Sequence, residues 1–182
     1  MTSVCTLWVV LFSMVAGMAA GLVPVPVESL ATQAEWILRG TVESLETSRG
    51  TSKVISTRVE LAVAEVWKGP HAQRAVVTLA GGVLGDRQVV VSGQATFKVG
   101  EDVVLFLVRN ERGEGVILEL AQGKFRVTQD TSKQRWVSNG VLGAGDASEG
   151  SASTRTVKVV MPHQRPLGLE ELKRRVLETL KP

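Results

Sequence analysis

Alternation of apolar and polar residues is the dominant pattern in this chain after its first 21 residues. It is clearest from residue 55 to residue 67, where five apolar side chains at odd positions stand opposite Arg58 and Glu60. A period of two predicts a half-buried β-strand, because successive side chains of a strand point to opposite faces of the sheet. The apolar members are Ile55, Val59, Leu61, Val63 and Trp67.

Shorter strands are predicted at intervals along the chain. One begins at Trp36, with Gly40 at a place suited to a β-bulge. The others cover residues 75–79, 88–91, 103–108, 116–120, 124–128 and 135–138. Residues 103–108 are apolar on both faces, which predicts a central strand covered on both sides. Short strands separated by turn residues favour a mainly β fold, an antiparallel barrel of the OB type or a sandwich.

Helices are predicted at the two ends of the β region. Residues 27–34 form a short one after Pro24 and Pro26. The second is amphipathic, with Gly168 as its N-cap, and we expect it to dock on the barrel. A freestanding helix that binds a partner or a membrane through its basic flank of residues 173–175 is the alternative. The apolar stripe consists of Leu169, Leu172, Val176, Leu177 and Leu180.

The first 21 residues have the features of a secretory signal peptide. An uncharged apolar run ends in the small residues Ala19-Ala20-Gly21, which predicts cleavage there and an extracytoplasmic location, periplasmic or secreted. Because no Lys or Arg precedes the run, an uncleaved anchor is the alternative. Cys5 would be removed with the signal, which leaves a mature chain without disulfides or a thiolate metal site.

The remaining chain divides into three parts. Residues 22–141 are predicted to form one β-barrel domain. Residues 142–155 are small and polar without apolar periodicity, which predicts a flexible loop. Residues 156–182 supply a strand at 157–161 and the C-terminal helix.

Charge argues against a nucleic-acid partner. The chain has 21 basic and 18 acidic side chains, a formal net charge of +3, and the two signs are interspersed. A nucleic-acid groove requires clustered Lys and Arg with interleaved aromatics, and the chain contains no tyrosine. We therefore expect no nucleic-acid binding, and contact with a membrane only during export.

No catalytic, cofactor-binding or metal-ligating residue is predicted. Gly81-Gly82 and Gly85 precede a strand rather than a helix, so they are interpreted as turns and not as a phosphate cradle. His71 and His163 each neighbour a proline in polar surroundings, without metal-ligand spacing, and are expected at the surface. Among the tryptophans, Trp36 and Trp67 are in phase with buried faces. Trp136, next to Arg135, is instead a candidate contact with a partner.

The strand pattern resembles a known class of secreted domains. Three segments carry the resemblance: residues 34–42, the stretch from Val63 to Pro70 with its Lys-Gly turn, and residues 97–107 with Gly100-Glu101. They are similar to secreted bacterial domains and, in the order of elements, to the netrin/tissue-inhibitor-of-metalloproteinase (NTR-like) class, an OB-fold barrel. That resemblance implies a non-enzymatic binding barrel, in some members a protease inhibitor. The inhibitory cysteine and the disulfides of that class are missing from the mature chain.

The sequence therefore predicts an exported, non-enzymatic binding or accessory module, whose partner is another secreted or envelope protein. Two alternatives remain. One is an envelope hydrolase whose site assembles from separated residues, and the other is a self-associating structural protein of the surface. The sequence does not distinguish oligomeric states.

Overall fold

The computed structural model describes residues 24–50, 53–139 and 167–181, and the structural statements below concern these ranges. The predicted signal segment, loop 142–155, strand 157–161 and His163 lie outside the described residues. Within them the fold is mainly β, with a short helix at one end and a longer helix at the other, as the sequence predicts. The strands form one large sheet that is barrel-like but not a closed barrel.

The order of elements is close to the predicted one. It runs α1 Val27–Gln33, β1 Trp36–Arg49, β2 Ile55–Lys68, β3 Arg74–Ala80, β4 Gly82–Leu84, β5 Arg87–Val89, β6 Asp102–Arg109, β7 Gly115–Ile117, a 3-10 helix Leu120–Gly123, β8 Lys124–Gln129, β9 Arg135–Ser138, β10 Leu167–Gly168 and α2 Leu169–Thr179.

A ring of five strands surrounds the barrel interior. β1 pairs with both β2 and β6, β2 pairs with β3, and β6 pairs with β7. β3 and β7 share a single parallel bridge, Val77 to Gly115, so these five strands do not form a fully closed barrel. The bridge makes the sheet mixed rather than wholly antiparallel as predicted. β8, β9 and β10 extend the sheet outward from β6.

The central strand is β6, as its apolar sequence predicts. Its residues 103–107 are all buried, and alternate side chains enter two different cores. Val103, Leu105 and Leu107 face the barrel interior, whereas Val104 and Phe106 face the helices. The ring of Phe106 packs against that of Phe125, with centroids 5.6 Å apart. A strand buried on both faces is therefore the partition between the two cores.

The two helices cover the outer face of the sheet. Leu30 and Ala31 of α1 and Leu172 and Val176 of α2 are buried in one cluster with residues of β1, β6, β8 and β9. α2 thus docks on the barrel, as predicted. Leu177, a member of the predicted apolar stripe, is 40% exposed.

The N-terminal end of α2 matches its predicted cap. Gly168 is the N-cap residue in an extended conformation, and Leu167 before it packs partly buried against the helix-side core. Glu170 and Glu171 lie in the first turn, where carboxylates favour the positive end of the helix dipole.

Three strand predictions need correction. The predicted strand 88–91 is shifted to Arg87–Val89, and the preceding glycine segment, interpreted as a turn alone, contains the strand Gly82–Leu84. The predicted strand 116–120 ends at Ile117 and gives way to a 3-10 helix. In both regions short-range turn geometry decides the backbone path, which alternation by itself does not show.

Candidate functional site

Charged side chains on neighbouring strands of the barrel form ion pairs with one another. Arg39 on β1 donates from Nη2 to Asp102 Oδ2 of β6 at 2.6 Å and from Nη1 to Glu65 Oε1 of β2 at 3.0 Å. Lys173 of α2 reaches the other oxygen of Glu65 at 2.6 Å, and the Trp67 indole donates to that same oxygen at 3.1 Å. The network therefore fastens α2 to three strands of the sheet.

Glu65 is the central anion of this network. Hydrogen bonding from Lys173, with smaller contributions from Trp67 and Arg39, lowers the pKa of Glu65 to about 2 against the opposing effect of burial. A carboxylate that is held ionised in this way is a structural anchor, since a general acid or base requires a pKa near the working pH.

A second cluster is buried between β8 and the loop before β6. The Lys124 ammonium donates to both oxygens of Glu101 at 2.8 Å and to the Thr96 carbonyl, and it lies 4.4 Å from the centroid of the Phe97 ring. Arg126 Nε donates to Glu101 Oε1 at 2.7 Å. Burial raises the pKa of Glu101, but the bonds from Lys124 and Arg126 outweigh it and the net pKa is lowered.

A third carboxylate, Glu114, accepts hydrogen bonds beside the pairing of β3 with β7, which consists of a single bridge. It accepts a bond from Thr78 Oγ1 at 2.8 Å, from Arg58 Nη1 at 2.9 Å and from Asn110 Nδ2 at 3.2 Å. Because β3 and β7 share a single bridge, these side-chain bonds hold the turn before β7 against β2 and β3. All three clusters are internally satisfied, which favours a structural role for each.

The opposite situation is found at the distal end, which we define as residues 48–50, 53–55 and 82–90. Here the β4–β5 hairpin packs over the β1–β2 hairpin. Gly82 sits directly on Thr57 and Thr47, where any side chain would collide with their atoms. Gly85, with φ of 60°, is the first of two turn residues, as a type II′ hairpin turn requires. Glycine therefore lets one hairpin lie flat on the other.

An open groove of about 530 Å³ runs between the two hairpins. Residues 86–89 form one wall, and Arg49 with residues 53–55 forms the other. Arg49, Lys53 and Arg87 line it together with one carboxylate, that of Asp86. None of these three cations makes an ion pair with another described residue. We call this feature the distal groove.

Apolar side chains are exposed around the distal groove. Val90 is 76% exposed and Val83 is 60% exposed, and Val54 and Val89 are also exposed. Scattered exposed valines are ordinary on protein surfaces, but a cluster of them beside a groove is typical of an interaction site. The distal groove therefore combines unpaired positive charge with uncovered apolar surface.

The predicted contact pair, Trp136 and Arg135, lies at the other end of the sheet on β9. Trp136 is half-buried, and its indole N–H donates to Asp130 Oδ2 at 3.0 Å. Arg135 is exposed. Adjacent residues of a strand point to opposite faces, so the two side chains do not form one patch. Contact of either residue with a partner protein stays a prediction.

The other sequence predictions have simple outcomes. Trp36 and Trp67 are buried, as predicted, although Trp36 Nε1 lacks a hydrogen-bond partner among the described residues. His71 is exposed, as expected.

In the described ranges no group of three or more His, Cys, Asp or Glu side chains is arranged to hold a metal ion. Nor does this part of the chain contain a helix long and apolar enough to cross a membrane.

Sequence reasoning did not find the distal groove. The run Val89-Val90-Val91 has the composition of a buried strand, and the basic residues are far apart in sequence. The available signal was the glycine-rich stretch ending at Gly85 followed by Asp86-Arg87, since Gly-X is the sequence pattern of a tight hairpin turn.

No protein-family model matches the chain, and no curated protein matches it. The resemblance to the NTR-like class consequently stays a prediction from the strand pattern.

Proposed function

We propose that this chain is an exported, non-enzymatic binding or accessory module that engages another secreted or envelope protein through the distal groove. The observation that carries the proposal is the coincidence of unpaired cations and exposed valines along one open groove. The resemblance to NTR-like binding barrels and the signal-like N-terminal segment agree with it.

The arrangement of side chains supports binding rather than chemistry. Glu65, Glu101 and Glu114 are each occupied by several hydrogen-bond donors. A nucleophile or general base needs to reach a substrate, and these carboxylates are committed to holding the fold. The distal groove presents donors and apolar surface without such commitments.

A pull-down tests the proposal. Residues 22–182 would be immobilised and exposed to the envelope fraction and the culture supernatant of the native organism, with captured proteins quantified by mass spectrometry. The same experiment would use Val90→Asp beside the distal groove and Val99→Asp as the matched control. Val99 is 65% exposed and lies in the loop before β6.

We expect one protein to be enriched by the original chain and by Val99→Asp, and to be lost with Val90→Asp. Equal capture by all three would contradict a role for the distal groove. Hydrolysis of esterase, peptidase or glycosidase substrates by the purified chain would support the hydrolase alternative, and concentration-dependent assembly in light scattering would support the structural one.

A further inference from the structure

The backbone of β5 is open along one edge. β4 and β5 form a two-stranded sheet of their own, so each has one unpaired edge within the described structure. β4 lies against β1 and β2, with Gly82 on Thr47 and Thr57. β5 is consequently the outer strand of the pair, and all three of its residues line the distal groove.

Three cations and one carboxylate lie beside this edge. Arg49 and Lys53 stand on the wall opposite β5, and Arg87 stands on β5 itself, against the single carboxylate of Asp86. Other exposed cations without ion pairs among the described residues lie outside the lining of the groove: Lys98, Arg112, Lys133, Arg135 and Lys181. The distal groove therefore gathers three such cations around one cavity.

We propose that the distal groove receives an extended acidic segment of the partner protein, which adds to β5 as a further strand and sets its carboxylates against Arg49, Lys53 and Arg87. This inference rests on the proposed function and specifies the chemistry of the partner. Strand addition supplies affinity through main-chain hydrogen bonds, and alternate side chains supply selectivity.

The alternation of side chains along β5 decides where carboxylates of an added strand would lie. Arg87 and Val89 are two residues apart on β5 and share one face, whereas Gln88 points to the other. Successive residues of the added segment also alternate between the two faces. A segment with a carboxylate at every second position therefore places all its carboxylates on the face of Arg87.

A second copy of this chain is a poor occupant of the same site. Pairing two β5 strands would bring Arg87 and its neighbouring cations toward the same group in the other copy, and like charges placed together oppose association. The charge of the groove thus selects an acidic partner over self-association.

Fluorescence anisotropy with three kinds of labelled peptide tests the inference. The protein used is the predicted mature chain, residues 22–182. The first is a nine-residue peptide that alternates glutamate and valine. The second replaces every glutamate with lysine. The third kind is the acidic peptide N-methylated on one or the other set of alternate amides, which removes donors to a neighbouring strand.

We expect the acidic peptide to bind at least roughly tenfold more tightly than the lysine peptide and to weaken as salt is raised. One of the two methylated peptides should lose at least about tenfold in affinity, because only one set of amides faces β5. Equal binding of acidic and lysine peptides, or unchanged binding of both methylated peptides, would overturn the inference.

Matched charge variants locate the effect. The triple variant Arg49→Gln, Lys53→Gln, Arg87→Gln should bind the acidic peptide at least roughly tenfold more weakly. The control variant Lys98→Gln, Arg112→Gln, Lys133→Gln removes the same total charge and should bind as the original chain does. Equal losses in both variants would show that net charge, and not the groove, attracts the peptide, which contradicts the inference.

Different experimental outcomes would overturn the inference and the proposed function. If the pull-down identifies a protein that Val90→Asp no longer captures, but no acidic peptide binds, then the binding module stands and the acidic strand is wrong. If vesicles containing phosphatidylglycerol bind the chain and the groove variant does not, while the acidic peptide fails to bind, the anion is a membrane lipid and the inference is likewise overturned.

Discussion

The barrel body, by which we mean the described residues outside the distal end, uses the same residue types as the distal end in opposite ways. In the body, valines such as Val77, Val103 and Val104 are buried, and Arg39 is held between two carboxylates. At the distal end, Val90 and its neighbours face solvent, and Arg49, Lys53 and Arg87 have no carboxylate partner among the described residues. The three cations around one groove, together with the exposed valines beside it, are the reason for proposing that a partner binds at the distal end.

The largest effect is expected in the doubly covered strand. Phe106→Ala removes a fully buried ring that packs on Phe125 between the helices and the sheet. We expect the free energy of unfolding to fall by about 3–5 kcal/mol, since truncation of a buried aromatic leaves a cavity. Urea denaturation followed by circular dichroism measures the loss. Val116→Ala, at an exposed site, serves as the control and should change stability by less than about 0.5 kcal/mol.

A somewhat smaller loss is expected at the buried ion pair. Glu101→Gln leaves the Lys124 ammonium buried beside an uncharged amide, which should lower the free energy of unfolding by roughly 3 kcal/mol. Adding Lys124→Met to the same chain should recover part of that loss, because no unpaired ammonium then remains. If the double variant were less stable than Glu101→Gln alone, the pairing would not be the source of the stability.

At acid pH the protein should lose the stability that Glu65 contributes by anchoring α2. Its pKa in the folded chain is lowered from 4.5 to about 2, so between these values the unfolded chain takes up a proton that the folded chain does not. The stability from this group is complete above about pH 5 and is lost as pH falls toward 2. Urea unfolding at several pH values should show a shallower decline for Glu65→Gln.

The smallest effect on stability is expected at the distal end. Val90→Asp and Arg87→Gln remove no buried contact, and the free energy of unfolding should stay within about 0.5 kcal/mol of the original chain. Thermal unfolding checks this. A loss of several kcal/mol would mean that these residues support the fold, and the contrast with the body would disappear.

The body of the fold could be predicted from sequence because its signals are local. Alternation in β2 and the two-sided apolar run of β6 fix which side chains are buried, and the cap at Gly168 marks the start of α2. The parallel bridge between Val77 and Gly115 could not be predicted, since it depends on which strands meet in space.

The distal groove was out of reach for the same reason. Arg49 and Lys53 are more than thirty residues from Arg87 along the chain, and they come together only because Gly82 allows one hairpin to pack on the other. Val89 and Val90 look like core residues in sequence because alternation does not reveal whether a short strand is covered. The pair Trp136 and Arg135, chosen for composition, stays a prediction.

Photo-crosslinking in the native organism tests the central claim most directly. A photoreactive amino acid would be placed in turn at positions 90, 99 and 136, and covalent adducts would be resolved by electrophoresis and identified by mass spectrometry. The account predicts a discrete protein adduct from position 90 and none from position 99. An adduct from position 136 alone, or equal labelling from positions 90 and 99, would contradict the claim that the distal end is the binding surface.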